Sequence, residues 1–180
     1  MTLQGGERLE NEVRVGYVYL HQDDPSKSTM KKLHKFSLAN PIQKEKMSGY
    51  MVIRYDAEKI ILPSDRSTVA RKGICIIEGS WKLNDLLANY RRGVERKLPV
   101  LMAGNPVNFG KFNTLSSVEA LASALYITGF SEQAERVMSK FNWGHTFLEI
   151  NGELLKSYSN CNNMSDIEEV YREFDIIFSP

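Results

Sequence analysis

Cysteine is scarce in this chain. Its two cysteines, Cys75 inside an apolar run and Cys161 beside Asn160, provide no disulfide framework and suit a reducing cytoplasm. Histidine is scarce too: His21, His34 and His145 have no partners at metal-ligand spacing, so the sequence offers no metal centre. No apolar run reaches ten residues, which excludes a membrane span. The polar, acidic stretch from Met1 to Asn11 is unlike a secretion signal. Dinucleotide and hydrolase signatures are missing as well, with no Gly-x-Gly-x-x-Gly and no serine in a nucleophile elbow. Gly104 to Gly110-Lys111 resembles a phosphate-binding loop only in part. Five residues separate the glycines instead of four, and Phe112 stands where Ser or Thr would hold magnesium. The sequon Asn163-Met164-Ser165 has no role in a cytosolic chain.

What is present is a chain of 180 residues with 42% hydrophobic and 25% charged residues, enough for a real core in one large domain or two small ones. The net charge of +1 hides an asymmetry. Residues 1–104 carry 18 Lys+Arg against 12 Asp+Glu, and residues 105–180 carry 5 against 10. A basic first half points to a polyanionic partner, with two ordinary solvated faces as the equal alternative.

Hydrophobic patterning divides the chain in the same way. Val13 to Leu20, Met51 to Arg54, Ile60 to Leu62, Ile74 to Ile77 and Leu98 to Ala103 read as strands. Helices are predicted from Ser26 through Phe36, from Ser64 to about Gly73, and from Trp81 to Arg91. After Gly110 only helices are expected: Ser116 to Gly129, Ser131 to Phe141, His145 to Leu155, and a last one from Ser165. Strands alternating with helices predict an α/β fold with a mainly parallel sheet over residues 1–97, and residues 98–180 a mainly helical, acidic domain.

Ligands of parallel sheets bind outside the carboxyl ends of the strands. Three such exits carry unusual residues: Asp24-Pro25-Ser26-Lys27-Ser28-Thr29, Glu78-Gly79-Ser80-Trp81, and Gly104 to Ser117. The third runs from an apolar segment through a stiff Asn-Pro loop into a helix start, where Ser116 and Glu119 have capping-box spacing. Backbone N–H groups at such a start suit a small anion. Each exit alone could be a simple helix cap; their convergence favours a site. Trp81, directly after a buried strand, would either pack in the core or wall a flat or sulfur-bearing ligand.

Taken together, Asp24-Pro25-x-Lys27-x-Thr29, Pro63-Ser64-Asp65, Ser80-Trp81, Leu98-Pro99, Asn105-Pro106-Val107-Asn108-Phe109-Gly110, Leu115-Ser116-Ser117-x-Glu119-Ala120 and Phe141-x-Trp143-Gly144 resemble one family. It is that of the small-subunit ribosomal RNA (16S/18S) aminocarboxypropyltransferases of archaea and eukaryotes, and the resemblance spans residues 13–158. The short chain without an acidic tail resembles the archaeal members. The resemblance implies a SPOUT-like α/β domain with a deep trefoil knot, followed by an all-α C-terminal domain. It implies an S-adenosylmethionine-dependent enzyme, monomeric, cytoplasmic and without a metal or a membrane. Such an enzyme transfers the 3-amino-3-carboxypropyl group to a ring nitrogen of a hypermodified uridine or pseudouridine of the rRNA in a pre-ribosomal particle. Methylthioadenosine is released.

It further implies that Thr29 and Ser117 hold the methionine carboxylate and that the Ile77 carbonyl holds the ribose. The backbones of Leu98 and Asn113 would read the adenine edge, with Ile53, Leu115 and Ala120 packed on its faces. Trp81 would bury the sulfonium methyl, with Asn84 beside it. A sulfonium activates three adjacent carbons, and the one presented in line to the nucleophile is attacked, so hiding the methyl selects the longer chain. Glu78 is the candidate to accept the proton from the ring nitrogen. The family usually shows Asp-Cys-Ser-Trp where this chain has Glu78-Gly79-Ser80-Trp81. Two further departures are Asn84 in place of a small residue and Phe109 in place of a tyrosine. Lys27, Lys31, Lys32, Arg66, Arg71 and Lys72 are the candidates for RNA phosphates. A SPOUT-type RNA methyltransferase and a non-catalytic ribosome-assembly protein remain as alternatives.

Overall fold

The computed structural model describes residues 12–20, 25–79 and 89–176. Five strands, β1 (Val15–Tyr19), β2 (Asn40–Pro41), β3 (Met51–Ile53), β4 (Ile74–Glu78) and β5 (Val94–Arg96), form one sheet in the order β2-β1-β4-β3-β5. Every pairing is parallel, with Val15 opposite Ile74, Tyr19 opposite Glu78, and Ile53 opposite both Ile76 and Arg96. The expectation of a mainly parallel sheet holds. Tyr19, Ile53, Glu78 and Arg96 therefore share one edge, where the strands end.

The central strands are apolar without polar alternation because both faces are covered. Val15, Tyr17, Met51, Ile53, Ile74 and Ile76 join the main core, whereas Val18, Val52 and Cys75 face a smaller cluster capped by Met47. Met47 sits on a 3-10 turn, Lys44–Gly49, that periodicity does not reveal. Burial pushes the Cys75 thiol up to about 12, so it behaves as a small apolar side chain. Cys161 is also buried, and both thiols are free.

Helices α1 (Thr29–Lys35) and α2 (Arg66–Lys72) connect strands; α3 (Ser117–Ile127), α4 (Ser131–Met138), α5 (Gly144–Ile150), α6 (Gly152–Tyr158) and α7 (Met164–Glu173) form the second half. Gly73, at φ 79°, ends α2 in a left-handed conformation and delivers the chain into β4. The core is continuous: Leu121, Leu125, Phe147 and Tyr158 belong to the same buried cluster as the sheet residues Met51 and Ile74.

Three expectations change. Ile60 to Leu62 is not a strand; only Ile60 bridges to Lys97, because Pro63 follows too soon for a ladder. Leu98 to Ala103 is buried but joins no sheet, and β5 lies just before it. Pro99 has no N–H to give; the polar groups of Val100 and Met102 are met by side chains from the helices, and the Leu101 carbonyl and the groups of Ala103 by the backbone of residues 110–113. Tyr158 Oη donates to the Val100 carbonyl at 2.8 Å, and the Val100 N–H reaches Tyr171 Oη at 3.3 Å. Asn151 pairs with Met102 as a strand would, accepting its N–H and donating to its carbonyl, each at 2.8 Å. The predicted helix from His145 to Leu155 breaks at the same residue: Asn151 ends α5 and begins α6 with φ −107°. The side chain that replaces a strand is what interrupts the helix.

Helix α5 packs closely on the chain at Gly104. A Cβ there would lie 2.7 Å from Phe147 Cα and 2.9 Å from its N, backbone that cannot swing aside. Gly104→Ala is expected to lower stability by about 1–3 kcal/mol through overpacking. Urea unfolding measures it, and an unchanged midpoint would show that the two segments separate easily.

Candidate active site

Residues of the three predicted exits meet at the C-terminal edge of the sheet. Ser28 caps α1, accepting the Lys31 N–H at 3.0 Å. Its hydroxyl also donates a short hydrogen bond to Glu78 Oε2. Glu78 Oε1 accepts from the Thr29 hydroxyl at 3.3 Å and from the Met30 N–H at 3.2 Å. The buried Glu78 carboxylate thus closes the start of α1. Thr29 Oγ1 accepts in turn from the Val118 N–H at 3.2 Å, so one hydroxyl joins the beginnings of α1 and α3. Burial, and then the Glu78 charge, raise the pKa of Tyr17 beneath this junction.

The third exit is fixed by Glu119, which is fully buried. Its Oε1 accepts the N–H groups of Gly104 and Asn105 at 2.7 and 2.9 Å. Its Oε2 accepts Asn105 Nδ2 at 2.7 Å and the Ser116 N–H at 2.6 Å. The return arm of the predicted capping box is therefore closed. Ser116 Oγ, by contrast, is buried with no hydrogen-bond partner, so it does not supply the other arm despite its capping-box position. The loop is further tied by Asn108 N–H to Asn105 Oδ1 at 3.1 Å and by Gly110 N–H to the Ala103 carbonyl at 2.8 Å.

Beside this loop lies a cleft of about 530 Å³. Ile53, Leu98, Asn113, Leu115 and Ala120, all predicted from the sequence, line it together with Tyr55, Lys97 and Tyr171. Ile77 stands at the exit of β4, one residue beyond its ladder with β3, which stops at Ile76. Ser117 is the first residue of α3, next to the Thr29 contact. Asn113 has φ 56°, and its N–H is spent on the Leu101 carbonyl at 3.1 Å, so any backbone reading by Asn113 falls to its carbonyl. Trp81 and Asn84 lie outside the described residues, as does most of the helix predicted around them.

The predicted phosphate ligands do not form one group. Lys27, Lys31 and Lys32 sit at α1; Lys31 Nζ lies 3.6 Å above the Tyr19 ring and Lys32 Nζ 4.7 Å above Phe141. Arg66 instead braces the far end of α3, donating to the Thr128 and Gly129 carbonyls at 3.0 and 2.6 Å. Arg71 and Lys72 precede β4, at the opposite edge of the sheet from Glu78.

Sequence reading missed the buried Arg54, which grips Asp56 through two bonds of 2.9 Å at the exit of β3. Hydrogen bonding to Arg54 holds the Asp56 carboxyl below its usual range. Arg96 grips Asp65 in the same two-pronged way at 2.9 Å. The Arg54-x-Asp56 spacing is a local signal; the 31-residue separation of Arg96 and Asp65 leaves none. Among the described residues no cluster of His, Cys, Asp or Glu could hold a metal ion.

The cleft pairs an apolar floor with a polar rim, and α3 offers N–H groups and an orphaned Ser116 hydroxyl nearby. This donor set fits a nucleoside with an anionic tail. Glu119→Gln would replace two acceptor oxygens by one acceptor and one donor facing N–H groups. It should cost about 2 kcal/mol or more and weaken adenosine-ligand binding, read by urea unfolding and calorimetry; unchanged values for both would remove Glu119 from the support of the cleft.

Residues 51–175 match the family described as "Ribosome biogenesis protein, C-terminal". A protein of Thermoplasma acidophilum named 16S rRNA aminocarboxypropyltransferase is 41% identical over 161 residues, covering 88% of this chain and 99% of its own. The protein of the same name from Methanosarcina acetivorans is 42% identical over 164 residues, covering 88% and 92%. The solved structure of the SAM-dependent rRNA:acp-transferase Tsr3 from Vulcanisaeta distributa superimposes with a TM-score of 0.80 at 32% identity, covering 91% of this chain and 90% of that one. With this degree of likeness over nearly its whole length, the chain belongs to the 16S rRNA aminocarboxypropyltransferase family.

Proposed function

We propose that this chain transfers the 3-amino-3-carboxypropyl group of S-adenosylmethionine to a ring nitrogen of a hypermodified uridine or pseudouridine in 16S rRNA. The observation that carries the reading is the cleft at the strand ends, which gathers Ile53, Leu98, Asn113, Leu115 and Ala120 beside the joined starts of α1 and α3. The bound cofactor supplies a carbon activated by a sulfonium, which leaves as neutral methylthioadenosine. Ile53, Leu115 and Ala120 pack on the adenine, and Leu98 and the Asn113 carbonyl orient its edge. The Ile77 carbonyl accepts from the ribose. Ser117, with the Thr29 hydroxyl shared between Glu78 and Val118, meets the carboxylate. Trp81 and Asn84 cover the methyl, so the longer chain faces the nucleotide. In-line presentation of that chain is the main catalytic contribution, because a neutral leaving group needs no strong acid.

Glu78 has two roles in this reading. Its carboxylate fixes the Thr29 hydroxyl, and by releasing one of its donors it can take the proton lost by the ring nitrogen. Lys27, Lys31 and Lys32 guide RNA phosphates to the α1 side. Arg66, Arg71 and Lys72 remain more distant candidates for the same task. The enzyme acts as a cytoplasmic monomer on a pre-ribosomal particle. We further assign it a SPOUT-like topology with a deep trefoil knot and a division into domains at residues 97 and 98. Light scattering reads the mass, and a backbone traced continuously through residues 80–113 reads the threading.

S-adenosylmethionine labelled separately in the carboxyl and methyl carbons tests the reaction on unmodified small-subunit particles. RNA label from the carboxyl position alone is expected. Methyl label would make the chain a methyltransferase, and the absence of both would make it a non-catalytic assembly protein. Glu78→Gln should lower kcat by about a hundredfold, the scale of general-base catalysis, with cofactor affinity within about threefold of the parent; an unchanged kcat would take Glu78 out of the chemistry.

A further inference from the structure

The loop from Gly104 to Asn113 carries three large apolar side chains into solvent: Val107 is 84% exposed, Phe109 61% and Phe112 47%. Single exposed apolar residues are ordinary, but several together on one short loop mark a binding surface. This loop is also stiff. Glu119 holds Gly104 and Asn105, the Ala103 N–H donates to the Lys111 carbonyl at 2.8 Å, and Met102 bridges to Phe112. Rings on a fixed backbone lose little freedom when a partner arrives.

The electrostatics narrow the partner. The second half of the chain is acidic, yet between Lys97 and Val118 the charged residues are Lys97 and Lys111 alone. The first carboxylate after them, Glu119, is fully buried. Two exposed aromatic rings with a lysine between them, on a stretch of chain without a carboxylate, suit an unpaired nucleic-acid strand, whose bases stack and whose phosphates need a cation. The position agrees. Phe109 follows Asn108 and Phe112 precedes Asn113, and both asparagines line the cleft. A ring nitrogen can reach a cofactor held in that cleft only when its base has left the stack, which deprives the neighbouring bases of a stacking partner.

We infer that Phe109 and Phe112 form a stacking platform for the unpaired bases flanking the nucleotide that is modified, with Lys111 against the intervening phosphate. The inference rests on the proposed function, and it assigns the loop to the RNA, with the cleft behind it reserved for the cofactor. Leucine is the discriminating substitution, since it keeps apolar bulk and removes the ring.

The test uses the full chain and an unmodified 16S rRNA transcript at fixed salt. Phe109→Leu and Phe112→Leu are each expected to weaken RNA affinity about tenfold. Phe109→Trp and Phe112→Trp should retain it, and all four should keep the parent's calorimetric affinity for S-adenosylmethionine. Lys111→Ala should reduce the salt dependence of binding by about one phosphate contact. Leucine variants that bind the transcript as tightly as the parent would overturn the inference. So would leucine variants that keep RNA affinity but lose binding to a ribosomal protein, which would assign the rings to a protein surface. Failure of the parent chain to label RNA from the carboxyl carbon would overturn the proposed function instead, because the affinity comparison does not depend on transfer.

Discussion

A carboxylate with no access to water persists in a protein interior only where donors replace its hydration, and Glu119 has four of them. Three are backbone N–H groups that would otherwise be orphaned: two in the loop after Ala103, and one at the start of α3. One charge thus sets the loop and the helix against each other. The lining residues Asn108, Asn113 and Leu115 stand on the chain between those anchor points. The shape of the cleft wall follows from that single side chain, which itself does not line the cleft.

A second substitution of side chain for backbone supports the first. The segment from Leu98 to Ala103 is largely buried; residues 110–113 pair with its end through Leu101 and Ala103, but among the described residues no strand flanks the outward groups of Val100 and Met102. Tyr158, Tyr171 and Asn151 take the neighbour's place from the helices. Sheet and helical half are joined by hydrogen bonds as well as by apolar packing, and the core runs across both without a gap. The broken helix at Asn151 is the local consequence of that junction.

Charge is used differently at the remaining exits. Arg54 with Asp56, and Arg96 with Asp65, pair in planar two-bond contacts that stiffen the ends of β3 and β5. At α1 the lysines lie over aromatic rings, which leaves ammonium groups able to exchange one partner for another. Fixed guanidinium pairs frame the cleft, while the more adaptable cations border it on the α1 side. Arg66 belongs with the former, because its donors are met by the carbonyls at the end of α3.

Sequence alone determined the alternation of strands and helices, the parallel sheet and the Glu119 arm of the capping box at the start of α3, because apolar periodicity, capping spacing and Pro or Gly punctuation are local properties. The family resemblance implied that Ile53, Leu98, Asn113, Leu115 and Ala120 share one site, and the structure gathers them in one cleft. Only the tertiary structure decided that Val100 and Met102 pair with side chains, that Asn151 splits a helix, and that Arg71 and Lys72 lie across the sheet from Glu78. It alone decided that the Thr29 hydroxyl, 89 residues from its partner Val118, joins two helix starts. A burial pattern says that a segment is covered without saying by what, and a basic residue carries no mark of the edge it will occupy. Those outcomes depend on contacts between residues far apart in the chain, which local spacing cannot encode.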